Sequence, residues 1–254
     1  MRALCLVRDA PVYRRMVFTE GLKICGYQIV SSLSKPREDD LLVIWNRYGN
    51  SDEQAQLFER AGARVVVVEN GYLGKSWYGD RWFAMSLGQH GGAGEWFPGG
   101  PDRWDYMNVP MADWKIGGKD YVILAQRGIG SNDVKSPDNW AERTKAKLGI
   151  GRIRAHPGKE PPKVNLADDL RDAAGVITWG SSAAFGALIL GVPVWYDFDK
   201  WIGAPAALPL SEFGKQPPKQ DSQARLDMFR RLSWAMWRAR EVEDGTAFRH
   251  LLDR

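Results

Sequence analysis

The sequence predicts an α/β protein made of two Rossmann-like halves, and two observations support this prediction. Short apolar runs typical of buried parallel strands alternate with helical stretches over residues 1–70, and the same alternation resumes after residue 118. The 254 residues are enough for two modest domains. The expected boundaries are 1–115, 116–220 and a C-terminal helical part, 221–254, that packs back across the domains.

The first half is predicted to alternate strands and helices and then to lose its regular pattern. Asn50 and Ser51 favour a helix start. Residues 71–118 are rich in Gly, Trp and Pro without a clean period, so an irregular functional segment is expected there. The elements before it are a strand at 3–7, a helix at 12–25, a strand at 41–45, a helix at 52–61 and a strand at 64–70.

The second half repeats the alternation of strands and helices, which is typical of a parallel sheet. Residues 203–220 form a Pro- and Gly-rich linker, and a last helix is expected at 222–240. The elements before the linker are a strand at 121–125, a helix at 137–148, a short strand ending at His156, a helix at 166–173, a strand at 175–178, a small-residue helix after Ser182, and a strand at 192–195.

The composition is typical of a globular protein from a reducing compartment. Cys5 and Cys25 lie in apolar or helical contexts and favour buried thiols over a disulfide framework. The apolar run at the N-terminus is too short for a signal peptide, and the apolar stretch at 183–194 is interrupted by Gly and Pro. The expectation is a cytoplasmic protein (in the host cytoplasm if a phage encodes it) with no integral membrane association.

Positive charge is concentrated in one part of the sequence. Residues 115–163 hold 11 Lys and Arg against 5 Asp and Glu, an excess of +6, whereas the whole chain has a net charge of +4. A basic surface of this kind suits a phosphorylated ligand or a nucleic acid. For any single lysine, a solvated basic face is an equally good interpretation.

Three strand-end loops of the second half carry polar side chains that suit phosphate. The carboxyl ends of parallel strands share one edge of a sheet, so these loops are expected to converge. Arg, His and Ser side chains, and free N–H groups at a helix start, bind phosphate oxygens. A backbone hydrogen bond for the histidine and a helix cap for the serines are the structural alternatives. The candidates are Gln126, Arg127, Gly128, Ser131, His156, Ser181 and Ser182.

This ordered set of motifs resembles the donor domain of GT-B glycosyltransferases. The "HP" at 156–157, the "SS" at 181–182 and the Gly-Val-Pro-Val at 191–194 are similar to motifs of the capsule-type and sialyltransferase-like groups. The segment "VVVVENGYLG" at 65–74 is similar to their Glu-x-Gly-Tyr-Leu strand end. The resemblance implies two Rossmann-like domains facing across a cleft, with 1–115 on the acceptor side and 116–220 holding a nucleotide-sugar.

The resemblance also implies roles for individual residues of the donor domain. His156, Ser181 and Ser182 would contact the phosphates of the donor, and Gln126 lies where the first donor-domain loop begins. Arg127 and a helix start would offset the charge of the leaving diphosphate. We therefore expect a metal-independent reaction that needs no cofactor besides its nucleotide-sugar substrate, with a UDP-sugar as the first choice.

A base that deprotonates the acceptor hydroxyl is expected in the first half. The candidates are Glu69, Asp80 and His90, and Glu69 is the best positioned because it ends a strand. A capping or pairing role beside Asn70-Gly71 is the alternative for Glu69. Asp197 and Asp199 are candidates for binding the ribose of the donor.

The first hypothesis for the acceptor is a 5-hydroxymethylpyrimidine such as 5-hydroxymethylcytosine in DNA, as in phage DNA glucosyltransferases. The chain is small and shows no amphipathic membrane-surface helix. Arginines of the last helix would line the phosphate backbone, and loop tryptophans would sandwich a flipped base. The alternatives are a capsule- or lipopolysaccharide-type glycan acceptor, a non-catalytic nucleotide-binding module and an epimerase-like enzyme. The residues in question are Arg225, Arg230, Arg231, Arg238 and Arg240, and Trp77, Trp82, Trp96, Trp104 and Trp114.

Overall fold

The computed structural model describes residues 1–10, 13–74, 76–77, 79–90, 93–158 and 163–253. The chain forms two compact units. The first comprises Met1–Gly99, Gly130–Val134 and Ser233–Arg254, and the second comprises Gly100–Ile129 and Lys135–Leu232. The second unit therefore begins ahead of the expected boundary at 115/116, and the end of the chain belongs to the first unit.

The first unit is built on a mixed sheet flanked by helices. Its strands are β1 (Arg2–Cys5), β2 (Gln28–Val30), β3 (Leu41–Trp45), β4 (Arg64–Asn70), β5 (Ser76–Trp77), β6 (Asp80–Leu87) and β12 (Met236–Arg238). Its helices are α1 (Tyr13–Ile24), α2 (Asn50–Arg60), α8 (Ala239–Glu243) and α9 (Thr246–Leu252). The strand order is β12-β6-β4-β3-β1-β2, with β5 paired to β6. β6 is antiparallel to both β4 and β12, and the remaining neighbours on this path run parallel.

The two faces of β4 bury different parts of the core. Val65 and Val67 pack with Phe58 of α2, whereas Val66 and Val68 pack on the opposite face with side chains of α1 and α9. Side chains alternate between the two faces along a strand. Glu69 therefore continues the series on the α2 side, at the carboxyl end of β4.

The second unit contains a parallel sheet. Its strands are β7 (Asp120–Leu124), β8 (Arg152–Arg154), β9 (Ala173–Thr178), β10 (Val194–Tyr196) and β11 (Leu208–Pro209), in the order β11-β10-β9-β7-β8. Its helices are α3 (Asp102–Met107), α4 (Trp140–Leu148), α5 (Leu166–Asp169), α6 (Ala183–Ile189) and α7 (Ser222–Leu232). Gly175 is needed in β9, because a Cβ there would lie 2.5 Å from the Trp195 ring. The core holds Ile123, Ile177, Trp195 and Trp140.

Most strands and helices of the two sheets lie where the sequence predicts them. The strands at 41–45 and 64–70 are confirmed, and the helix predicted at 12–25 is α1. Residues 71–118 are more regular than predicted, since they contain β6 and α3. Residues 82–86 of β6 are all buried, so the strand lacks the alternation by which a half-exposed strand is recognised.

The helix predicted at 222–240 is wrong in its second half. α7 ends at Leu232, and the chain then adds β12 to the sheet of the first unit, with Trp237 opposite Phe83. Trp237 is 1% exposed, so burial of this side chain outweighs local helix propensity. Within the described residues, no helix combines the length and apolar character needed to cross a membrane.

Candidate functional site

The loops after β7 and β9 are held together at the carboxyl edge of the second sheet. The Oε1 atom of Gln126 accepts a hydrogen bond from the backbone N–H of Gly180 at 3.0 Å. The two strands are direct neighbours, with Leu124 opposite Thr178, so their ends emerge side by side. The expected convergence of these two loops is present in the structure.

The two serines of the loop after β9 have different environments. The N–H of Ser181 donates to Oγ1 of Thr178 at 2.8 Å, and its Oγ accepts from the N–H of Ala183 at 3.3 Å. Ser181 is 9% exposed. Ser182 occupies the N-cap position of α6 without a capping bond from its side chain, and it is exposed. Ser181 therefore shapes the turn, and Ser182 offers its hydroxyl to solvent.

His156 presents one ring nitrogen to the solvent. Its Nδ1 accepts the N–H of Gly158 at 2.9 Å, so in the neutral ring Nε2 carries the proton and is a hydrogen-bond donor. Lost hydration lowers the pKa of His156 below its usual value, and the charge of Arg127 lowers it further. Arg127 is exposed and close enough to act on His156, so both lie at the edge formed by the β7 and β8 loops.

The other two candidates of the β7 loop have separate positions. Gly128 has φ 63°, a left-handed conformation that favours glycine, and turns the loop. Ser131 belongs to the first unit, where its Oγ accepts a hydrogen bond from Nε2 of Gln89 at 3.0 Å. The structure therefore brings Ser131 to Gln89 within the first unit.

Glu69 lies at the end of β4 and is hydrogen-bonded to Tyr72, three residues further along. Burial raises the pKa of Glu69 to about 7, and the hydrogen bond from the Tyr72 hydroxyl opposes this rise. The pKa of Tyr72 is raised well above its usual value because the phenol is buried and faces Glu69. Glu69 is opposite Ala84 of β6 in the pairing of the two strands.

Asp80, the second candidate base, lies further out along β6. It shares a strand face with Ala84 and therefore with Glu69, but four residues separate Asp80 from Ala84. At ~3.3 Å per residue, the Cα atoms of Asp80 and Ala84 are about 13 Å apart along the strand. The structure therefore brings Glu69 and Asp80 to the same face but not into contact.

His90, the third candidate, is held as a neutral ring beside Arg47. Its Nε2 accepts the backbone N–H of Arg47 at 3.1 Å, which leaves the proton on Nδ1. That Nδ1 is buried and meets no hydrogen-bond partner in the described part of the chain. Burial lowers the pKa of His90 to about 4, and the charge of Arg47 contributes to the decrease. His90 is therefore uncharged at neutral pH.

Arg47 organises this region, and the sequence did not identify it as important. The residue is 6% exposed. Its guanidinium contacts Asp52 at 2.7 Å, both carboxylate oxygens of Glu59 at 2.5 and 2.9 Å, and the carbonyl of Gly88 at 2.5 Å. The signal in the sequence is an arginine ahead of α2 with acidic residues 5 and 12 positions later, a spacing too common to single it out.

Aromatic side chains surround the carboxyl ends of β9 and β10. Trp179 stacks on Phe198 with ring centroids 5.5 Å apart, and its ring meets the edge of Trp140 at 6.2 Å. The indole N–H of Trp140 donates to Oδ2 of Asp197 at 2.6 Å. Asp197, one of the two ribose candidates, therefore already has a partner within the second unit.

Three of the five arginines expected to line DNA are engaged by other groups of the protein. Arg225 is 4% exposed, donates to the carbonyls of Leu188 and Ala112, and lies over the ring of Trp114. Arg230 forms two hydrogen bonds to Asp105, and Arg238 pairs with Glu241. The expectation of one helical row of phosphate-binding arginines is wrong, because α7 ends before Arg238 and Arg240.

Of the five tryptophans expected as stacking platforms, Trp82 and Trp104 are parts of the core, and Trp96 and Trp114 are half-buried. Trp82 and Trp104 are 6% and 3% exposed, and Trp104 stacks on Phe229 at 4.7 Å. The side chain of Trp77 lies outside the described residues. In the described chain, no group of three or more His, Cys, Asp or Glu side chains is arranged to hold a metal ion. Metal independence stays a prediction.

The comparisons with known proteins give matches among solved structures. No family model and no curated protein matches this chain. The β-Kdo 2,7-transferase of Thermosulfurimonas dismutans KpsC matches with a TM-score of 0.55 and 12% identity, over 90% of this chain and 89% of that one. The β-Kdo 2,4-transferase of the same KpsC gives a TM-score of 0.54 and 11% identity, over 91% and 90%.

These likenesses extend over nearly the full length of both chains. They agree with the two α/β units and their parallel strands. At such low identity they show the fold and leave the roles of single residues, including the HP and SS motifs, as predictions. The chain has a GT-B-like α/β fold, the fold class that its sequence predicts.

Proposed function

We propose that this protein is a glycosyltransferase that moves a sugar from a nucleotide-sugar donor to a hydroxyl group of a glycan. The observation that carries the proposal is Glu69, a carboxyl group at a strand end whose burial raises its pKa to about 7. A carboxyl group whose pKa lies near the working pH is suited to general base catalysis. Burying such a group costs stability, so it is more often found at functional sites than elsewhere. The fold, shared with two Kdo transferases, supplies the context for that group.

The donor would bind at the carboxyl edge of the second sheet. His156 offers Nε2–H and Arg127 a guanidinium to the phosphate oxygens, and the exposed hydroxyl of Ser182 adds a third donor. The hydrogen bond from Gly180 to Gln126 fixes the loop that carries Ser182. The stacked Trp179 and Phe198 provide an aromatic surface at the same strand ends.

Glu69 would act as the base in the transfer. It takes the proton of the acceptor hydroxyl while that oxygen forms a bond to the anomeric carbon of the donor sugar. The bond from this carbon to the phosphate oxygen breaks, and the nucleotide leaves with the electron pair. Arg127 and His156 would stabilise the charge that develops on the leaving phosphate, so that the step needs no metal ion.

His90 is less suited than Glu69 to the role of base. Its Nε2 lone pair is engaged by the N–H of Arg47, and its Nδ1 carries the proton. Asp80 lies far out along β6. These positions support Glu69 as the first candidate of the three.

The acceptor is better described as a glycan than as DNA. Two of the matching structures are Kdo transferases, so Kdo is the first sugar to test. The arginines Arg225, Arg230 and Arg238, which carried much of the DNA hypothesis, are engaged with Leu188, Asp105 and Glu241. DNA containing 5-hydroxymethylcytosine is retained as the comparison acceptor.

The proposal is tested by a donor screen followed by a transfer assay. UDP-, GDP- and CMP-linked sugars, including CMP-Kdo, are screened by thermal shift, and each hit is offered with glycans and with hydroxymethylated DNA. A gain in glycan mass that depends on the donor supports the proposal, and a gain in DNA mass alone contradicts the acceptor. Glu69→Gln should abolish transfer and keep donor binding, and the exposed Glu53→Gln of α2 is the matched control.

Three outcomes would each contradict a different part of the proposal. Donor binding without transfer to any acceptor would favour a non-catalytic nucleotide-binding module. Consumption of the donor without an acceptor would favour an epimerase-like or hydrolytic activity. Full activity of Glu69→Gln would remove Glu69 from the role of base, and Asp80→Asn and His90→Gln would then decide between the other two candidates.

A further inference from the structure

The turn after β4 is fixed by two backbone hydrogen bonds and by a glycine that has no room for a side chain. The N–H of Gly71 donates to the carbonyl of Trp82 at 3.0 Å, and the N–H of Gly74 donates to the carbonyl of Gly71 at 2.9 Å. A Cβ on Gly71 would lie 2.8 Å from Cβ of Trp82 and 3.1 Å from the carbonyl oxygen of Gly74. Only glycine fits, so the turn is fixed against β6.

This fixed turn returns Tyr72 towards the strand it has just left. Tyr72 is 7% exposed, and its hydroxyl donates a hydrogen bond to the Glu69 carboxylate. Burial raises the pKa of Glu69, and the hydrogen bond from Tyr72 lowers it. Among the described residues, Tyr72 is the only titratable or charged group that affects this pKa. A buried hydroxyl with a defined partner orients that partner as well as stabilising its charge.

We propose that Tyr72 is a positioning residue that holds one oxygen of the Glu69 carboxylate, so that the other oxygen faces the acceptor hydroxyl. The proposal rests on the proposed function of Glu69 and deepens it. Tyr72 remains protonated throughout, because its own pKa lies well above its usual value. It therefore donates to Glu69 before and after the proton transfer and takes no proton itself.

Tyr72 should also set the pH range in which Glu69 is charged. A hydrogen bond to the carboxylate favours the charged form, so its removal raises the pKa of Glu69. The fraction of charged base then falls at slightly acidic pH and recovers in alkaline solution. A merely structural role of Tyr72 predicts instead a loss of activity that is the same at all pH values.

The direct test follows the side-chain carboxyl carbon of Glu69 by NMR of protein labelled with ¹³C-glutamate, across pH 4 to 10. Glu69→Gln assigns the signal. We expect the midpoint in Tyr72→Phe to lie at higher pH than in the unmodified protein. Tyr27→Phe, which removes another buried hydroxyl of the first unit, should leave the midpoint unchanged. An unchanged midpoint in Tyr72→Phe would overturn the proposal.

A second measurement covers the case in which Tyr72→Phe fails to fold. Difluorotyrosine at position 72 keeps the shape of the ring and is a stronger hydrogen-bond donor, so it should move the Glu69 midpoint to lower pH. The absence of that shift would contradict the proposal. Neither NMR experiment requires turnover, so a failure of the proposed function shows separately as full transfer activity of Glu69→Gln.

The kinetic readout applies once a substrate pair is found. Tyr72→Phe should lower kcat/KM roughly fivefold or more at pH 6 and much less at pH 9, as expected for a lost hydrogen bond to a charged group. An equal loss at both pH values would contradict a role in setting the charge of Glu69. Tyr27→Phe should follow the unmodified enzyme at both pH values.

Discussion

The Oε1 atom of Gln126 accepts the backbone N–H of Gly180 at 3.0 Å and thereby joins the loops that follow two neighbouring parallel strands. A loop that carries ligand-binding groups costs less binding energy when it is already ordered. This bond therefore connects the packing of the sheet with the proposed donor site. It also makes Gln126 a position where the effect of loop order on donor affinity is tested without changing Arg127, His156 or Ser182.

Gln126→Ala should weaken binding of the nucleotide-sugar about tenfold, because the loop carrying Ser182 loses its fixed position. Gln126→Glu keeps an acceptor for the N–H of Gly180 and adds a negative charge near the phosphates, so it should also weaken binding, most strongly at low salt. Isothermal titration calorimetry measures both effects. Gln216→Ala, which removes an exposed partner of Glu212, should bind as the unmodified protein does.

His156 provides a test of a single hydrogen-bond donor. Asn at this position can accept the N–H of Gly158 with Oδ1, as Nδ1 of His156 does, but it lacks the donor at Nε2. His156→Asn should therefore keep the turn and lose about tenfold in affinity for the nucleotide-sugar. If His156→Asn binds as tightly as the unmodified protein while His156→Ala does not, the histidine shapes the loop and does not bind phosphate.

The sequence predicted the edge of the second sheet better than the region around Glu69. Strand ends in a parallel sheet converge whatever the loops contain, so Gln126 and Gly180 were expected to meet. The environment of His90 depends on Arg47, which lies 43 positions earlier and is held by Asp52 and Glu59. Contacts of this kind follow from the packing of α2 on the sheet, and no local pattern in the sequence predicts them.

Glu69 should make the protein less stable as the pH rises. Its pKa is raised from 4.5 to about 7 in the folded state, so the folded chain binds more protons than the unfolded chain between these values. The contribution of Glu69 to the free energy of unfolding therefore falls from pH 4.5 to pH 7, by at most about 3.5 kcal/mol at ~1.4 kcal/mol per pKa unit. Glu69→Gln removes this loss and should be more stable than the unmodified protein at pH 8, but not at pH 4.

Urea unfolding at pH 4, 6 and 8 measures this effect, and Glu53→Gln is the matched control on α2. Equal stability of Glu69→Gln and the unmodified protein at pH 8 would show that the carboxyl group is not destabilised by burial. A stabilised but inactive Glu69→Gln would be typical of a residue kept for function at the expense of stability.

His90 should act on stability with the opposite sign over nearly the same pH range. Its pKa is lowered from 6.5 to about 4, so the unfolded chain binds more protons between these values. The stabilising contribution of the neutral ring is complete above pH 6.5 and is lost as the pH falls towards 4, by at most about 3.5 kcal/mol. In the unmodified protein, the contributions of Glu69 and His90 should therefore largely cancel between pH 4.5 and 6.5.

Single variants should separate the pH dependence of stability due to Glu69 from that due to His90. Urea unfolding of Glu69→Gln should show stability that rises from pH 4.5 to 6.5, because the His90 contribution then acts alone. His90→Gln should show stability that falls over the same interval, because only the Glu69 contribution is left. The double variant should return to a nearly flat profile. Parallel profiles in all four proteins would contradict both assigned pKa shifts, since each slope depends on one titrating group.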